Sequence, residues 1–92
     1  MDRLAHSYRL RGRLFVAQKD MDAAEAKFLA ALAESEKVGS ETDAAKARYE
    51  LGKMLVASGD AERGREMLAS AKEVFQKHGM MRWAEKAGNA LK

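Results

Sequence analysis

The side chains of this chain that could do chemistry are abundant in charge and poor in reactivity. There are 17 Lys and Arg, 14 Asp and Glu, two His and no Cys. Without cysteine there is no thiol nucleophile, no thiolate metal site and no disulfide framework. His6 and His78 stand far apart, and neither belongs to an HExxH-like spacing that would put two ligands on one helix face. No nucleophile or carboxylate is spaced to orient His6 as a general base. His78 precedes Gly79, where a helix is expected to stop and a cation suits its dipole. No Gly-rich phosphate loop is present. The chain therefore reads as a non-enzyme, with no catalytic residue, no metal ligand and no cofactor.

What remains is recognition without bond making. Arg9, Arg11 and Arg13, with supporting lysines, could contact phosphates, and Tyr49 could stack on a base. Against that, the net charge is only +3, and no helix-turn-helix or RNA-binding signature is present. Nucleic acid is a weak second reading behind a protein partner. The apolar runs are only a few residues long, so no segment reads as membrane-spanning, and Met1-Asp2-Arg3 leads into no apolar signal core. The expected location is the cytoplasm.

The elements that must carry these charges recur. Residues 12–39 and 52–79 are two copies of one pattern: Gly12 matches Gly52, Val16-Ala17 matches Val56-Ala57, Asp20 matches Asp60, Ala31 matches Ala71, and Lys37-x-Gly39 matches Lys77-x-Gly79. A third copy starts in step, with Ala44, Lys46, Ala47 and Leu51 recurring as Ala84, Lys86, Ala87 and Leu91. A unit repeating every 40 residues is a supersecondary module that buries its apolar face by stacking on its neighbours. The 92 residues form one small domain, residues 1–92, and proline is absent while strong helix formers dominate.

Five helices are expected, at about 2–17, 20–38, 41–58, 60–78 and 80–91. Leu4, Tyr8, Gly12 and Phe15 make the stripe of the first. Ala24, Phe28, Ala31, Ser35 and Val38 make that of the second, which Asp20 caps and Gly39 stops. Ser40 with Asp43 is a variant capping box for the third, which places Ala44, Ala47, Leu51, Gly52 and Leu55 together before Gly59-Asp60. The fourth turns Gly64, Leu68, Ala71 and Phe75 inward, and the fifth Trp83, Ala84, Ala87 and Leu91. Short connections require antiparallel neighbours.

These residues resemble the tetratricopeptide repeat, whose signature sets Gly on helix A, then small, aromatic and small residues on helix B. The first copy reads Tyr8, Gly12, Phe15, Ala24, Phe28, Ala31, and the second Leu51, Gly52, Leu55, Gly64, Leu68, Ala71. The resemblance implies an all-α, right-handed α-solenoid of antiparallel helix pairs: two repeats plus a C-terminal capping helix. The period of 40 exceeds the family's usual length, as in longer-repeat relatives. The proline that often ends helix B is absent, and Arg11 and Arg48 sit where the family prefers Leu and Trp. The tract Phe75–Leu91 is also similar to the last repeat and closing helix of large bacterial signalling proteins, which implies a docking region of a longer chain.

In this family the A helices line a concave groove. The matching positions are His6, Arg9, Arg13 and Val16, then Lys46, Tyr49, Lys53 and Val56, then Lys86 and Asn89. None is acidic, whereas Asp20, Asp22, Glu25, Glu34 and Glu36 fall on a B helix. A one-sided basic groove steers an acidic protein or peptide toward itself. Arg13 and Lys53 replace the asparagines of the family's carboxylate clamp, so a looser acidic-peptide groove is expected in its place. Trp83 reads as the lid on the last repeat, with Met80 and Met81 as filler. Leu10 and Leu14 on the uncovered side of the first helix offer a third reading, pairing with another copy as a homo-oligomer.

Overall fold

The computed structural model describes residues 3–92. The expected helix start at residue 2 lies outside them. Five α-helices follow one another: α1 Arg3–Ala17, α2 Met21–Lys37, α3 Glu41–Ser58, α4 Ala61–Lys77 and α5 Met81–Ala90. Each packs antiparallel on the next, and α1 also touches α3. The Cα atoms fill a slab of 32 × 30 × 18 Å.

One closure ends four of the helices. The amide of Asp20 donates to the Phe15 carbonyl at 2.9 Å, Ser40 to Ser35 at 2.8 Å, Asp60 to Leu55 at 2.9 Å and Met80 to Phe75 at 2.8 Å. Inside each of these bonds sits one that spans fewer residues, such as Gly39 to Glu36 at 3.1 Å and Gly79 to Gln76 at 3.2 Å. This is the Schellman arrangement, which satisfies the last carbonyls and needs a left-handed residue at its corner. The corners are Lys19, Gly39, Gly59 and Gly79, with φ of 62°, 73°, 104° and 70°. They fall 20 residues apart, so every connection has the same geometry and successive helices return alongside one another. Starts are capped less uniformly. Asp20 accepts from the Ala23 amide at 3.2 Å, whereas Asp60 makes no side-chain cap. Ser40 accepts from the Asp43 amide at 3.4 Å, but its hydroxyl then donates to the Asp43 carboxylate at 2.8 Å. Only half of the expected box is formed, because the Ser40 amide is already committed to Ser35.

The joints between helices are built from small residues. A Cβ placed on Gly52 would stand 2.8 Å from the Gly64 carbonyl oxygen, and one on Gly64 would stand 2.7 Å from that of Gly52. The α3 and α4 backbones therefore touch directly. In the first pair Gly12 lies under the Phe28 ring, 2.5 Å from where its own Cβ would be. Around these joints run two apolar clusters. One gathers Ala24, Phe28, Leu51, Met54 and Leu55. The other gathers Ala45, Tyr49, Leu68, Ala71, Phe75 and the inner face of α5. Ala24, Phe28, Ala31 and Ser35 of α2 are buried, and so are Gly64, Leu68, Ala71 and Phe75 of α4.

Two expected stripes need correction. On α1 the buried residues are Ala5, Arg9 and Gly12, while Tyr8 and Phe15 are half-buried and Leu4 is exposed. The inward face is turned by about one residue from the Leu4–Tyr8 stripe. The physical reason is visible in the second copy: Met54 is buried against α2, whereas Leu14, its match on α1, is 56% exposed. Val38 is also exposed, because it is the capping residue beyond the last turn of α2. The His78 side chain does more than cap its own helix. With Lys77 it reaches Glu41 at the start of α3, at 3.4 and 3.1 Å, and hydrogen bonds from Lys77 and then His78 hold the Glu41 carboxyl below the usual carboxylate range.

Three stability predictions follow the backbone. Gly52→Ala or Gly64→Ala should cost about 1–3 kcal/mol or more by denaturant unfolding, since backbone and not a flexible side chain must move. Gly88→Ala should instead stabilise by roughly 0.5 kcal/mol, because its nearest neighbour is the Lys72 side chain at 3.6 Å. Lys19→Gly should raise stability by about 1 kcal/mol by removing the Cβ from a left-handed corner, and an unchanged or lower melting temperature would contradict that closure.

Candidate binding groove

On α3, Lys46, Tyr49 and Lys53 step by three and four residues and so share a face; Arg9 and Arg13 do the same on α1, and Trp83 and Lys86 on α5. The fold converges these faces on one indole. Arg9 Cζ lies 5.8 Å from the centre of the Trp83 ring, Lys46 Nζ 5.3 Å and Lys86 Nζ 5.0 Å. Tyr49 meets the same ring edge-on at 5.6 Å and 89°, and Phe75 lies tilted against it at 5.4 Å. Lys53 Nζ sits 5.1 Å over Tyr49. Each cation–ring contact is worth about 0.5–1 kcal/mol where exposed, enough to gather the cations but not to neutralise them.

Arg9 is the unusual member, because it is only 6% exposed. Burial pushes its pKa below the ordinary guanidinium value; Glu50 and Asp43 pull it back up, and Arg13 adds to the lowering. A guanidinium still keeps its charge in a protein. Its buried Nε has no hydrogen-bond partner. Among the described residues, ion pairs join Arg48 to Glu36, Arg63 to Glu25, and Lys77 and His78 to Glu41, and none includes Arg9, Arg13, Lys46, Lys53 or Lys86. A buried donor without an acceptor costs about 1–3 kcal/mol. The cluster therefore carries a net positive charge, offset only at longer range by Asp43 and Glu50.

One to two helical turns further along α1 and α3 lies a cavity of about 310 Å³. Val16, Met21, Phe28 and Met54 give it apolar walls, closed by Ala17 and Ala57. Arg13, Lys53 and Glu50 also border it.

The ten positions assigned to the groove thus divide. Arg9, Lys46, Tyr49 and Lys86 meet around Trp83, and Arg13, Val16 and Lys53 border the cavity. Val56 does not face the groove: its amide and a methyl lie 2.8 and 2.7 Å from where a Gly64 Cβ would be, inside the α3–α4 joint. Asn89 borders a separate shallow cavity with Lys72 and Gln76 of α4. His6 is exposed. Tyr49 is buried beneath Lys53 and Trp83, so it is a support and not the open platform expected of it. Nor is the groove free of acid, since Glu50 borders its cavity. Trp83 is half-buried, with one side on the core and the other among cations. Its spacing from Lys86, one helical turn, was the available signal for that second duty.

Compared with known protein families, curated proteins and solved structures, the chain matches none of them. Among the described residues no group of three or more His, Cys, Asp or Glu could hold a metal ion, and no helix is long and apolar enough to cross a membrane.

Because Trp83 bridges core and groove, Trp83→Ala should lower stability by about 3 kcal/mol and should also weaken ligand binding. Trp83→Phe should restore more than half of the stability, as followed by circular dichroism in denaturant. Undiminished stability of the alanine variant would show that the indole is not part of the core.

Proposed function

We propose that this chain is an interaction module of the tetratricopeptide type, two helical hairpins and a closing helix, whose A-helix groove holds an acidic protein segment. The observation that carries this reading is the convergence of Arg9, Lys46 and Lys86 on Trp83 with no ion-pair partner among the described residues. Cations gathered at close range repel one another, and a carboxylate brought among them relieves that repulsion as well as forming its own bonds. The guanidinium of Arg9 can present parallel N–H donors to a planar carboxylate, while the lysines act as movable point charges. The fold supplies rigidity, because the residues stand on helices locked by the Gly52–Gly64 contact and by the uniform closures.

A second reading rests on α1, where Leu10 and Leu14 are 47% and 56% exposed. That surface would favour association with another copy, and sedimentation of the protein alone tests it directly.

For the groove, Arg13→Glu together with Lys53→Glu should abolish binding of acidic peptides and leave helicity intact, since both side chains are exposed. Binding by the parent should weaken as added salt shortens the Debye length to ~3 Å at 1 M. Should the reversed protein bind as well as its parent, the cations are only a solvated face. Tighter binding to single-stranded nucleic acid than to acidic peptide would favour a phosphate-binding surface in its place.

A further inference from the structure

The cation cluster and the apolar cavity lie on the same two helices at a fixed separation, and that separation constrains the ligand. From Arg9 to Val16 on α1, and from Lys46 to Lys53 on α3, the chain advances seven residues, or ~10 Å along the axis at ~1.5 Å per residue. Both helices are A-type and run the same way, so the two sites are displaced in the same direction on both walls of the groove. An extended segment with three residues per turn advances ~9 Å over three residues and returns its side chains to one face. The acid end is set by Lys46 and Lys86, 5.3 and 5.0 Å from the centre of the Trp83 ring, with the buried charge of Arg9 beside them. The apolar end is set by the 310 Å³ cavity, walled by Val16, Met21, Phe28 and Met54, which has room for one large aliphatic or aromatic side chain. Arg13 and Lys53 border the cavity and would hold backbone carbonyls or a second carboxylate there.

We infer that the groove reads a two-point motif, an Asp or Glu seated among Arg9, Lys46 and Lys86 and a Leu, Met or Phe three residues away seated in the Val16–Phe28–Met54 cavity, on a segment lying along the A helices. This rests on the acidic-segment reading and narrows it. An acidic patch without an apolar residue satisfies only the first site. An apolar helix without acid satisfies only the second.

The test uses fluorescent peptides that hold one Glu and one Leu three residues apart, made in both chain orders. Control peptides place the pair adjacent, replace Leu by Ala, or replace Glu by Gln. In one of the two orders the three-residue spacing should bind about tenfold more tightly than the adjacent or Ala versions, the factor expected for burying a Leu side chain. Ala57→Leu, at an exposed position bordering the cavity, should fill it and remove that advantage while leaving charge-dependent binding in place. Lys46→Gln with Lys86→Gln should bring the Glu peptide down to the affinity of the Gln peptide. If acidic peptides bind but spacing and Leu make no difference, the two-point motif is wrong and the acidic groove stands. If the advantage survives Ala57→Leu, the cavity is not the apolar subsite. If no acidic peptide binds at all, both readings fall together.

Discussion

The structure depends first on how closely α3 and α4 approach. At Gly52 and Gly64 the two backbones meet with no side chain between them, and a single methyl on either would overlap a carbonyl oxygen. That contact sets the separation of the central pair, and with it the depth at which Leu68 and Phe75 enter the core and the height at which Tyr49 meets Trp83. Local closure gives the rest of the geometry. Positive-φ corners at 20-residue intervals return each helix beside its predecessor, so pairs stack without a long connection anywhere in the described chain. Helical propensity alone would have made helices here, but only the small joints and the repeated corner fix how they sit.

Placing Tyr49 and Trp83 at the same level has an electrostatic consequence. Two unit charges ~4 Å apart interact by ~1 kcal/mol in water and ~4 kcal/mol near a protein surface, so cations drawn to one indole are costly unless something neutralises them. Contacts with the aromatic faces recover part of this. Asp43 and Glu50 favour the charged form of Arg9 without closing an ion pair on it. The same indole packs on Phe75, so it stabilises the end of the molecule and gathers its cations at once. A residue placed in two such environments is hard to assign from sequence, where tryptophan near the last helix reads simply as cover for an apolar end.

Much of the helical architecture was legible because it is written in local chemistry. Asp20 and Ser40 accept from amides at helix starts, and Gly39, Gly59 and Gly79 turn at helix ends, as their residue types require. The Lys19 corner carried no such mark, since lysine is an ordinary helix former and only the matching spacing of the three glycines betrays it. The gathering of cations was legible in part, and their burial was not. Charge type and helical spacing pointed to Arg9, Lys46 and Lys86, but burial of Arg9 depends on how α1 rotates against α3, which no periodicity within α1 encodes. The packing of Val56 toward α4 has a related reason: Gly64 carries no side chain, so the α4 backbone comes close to a Val56 methyl.

The two copies also show how one backbone plan yields two different surfaces. At the first joint Gly12 supports Phe28, and that ring extends far enough to wall an open cavity beside α3. At the second, Gly64 lets the backbones close and Leu68 packs against Gly52. Further along, buried Ser35 turns its hydroxyl back to the Ala31 carbonyl at 2.8 Å, whereas its counterpart Phe75 reaches out to the Trp83 ring. Aromatic bulk thus sits midway along α2 in one copy and near the end of α4 in the other. The apolar opening and the cation-bearing indole consequently fall at different heights along α1 and α3. A repeat with identical copies would place matching features side by side at one height. The offset arises from exchanging Phe with Leu and Ser with Phe at equivalent positions, which gives the surface built from repeated units a direction.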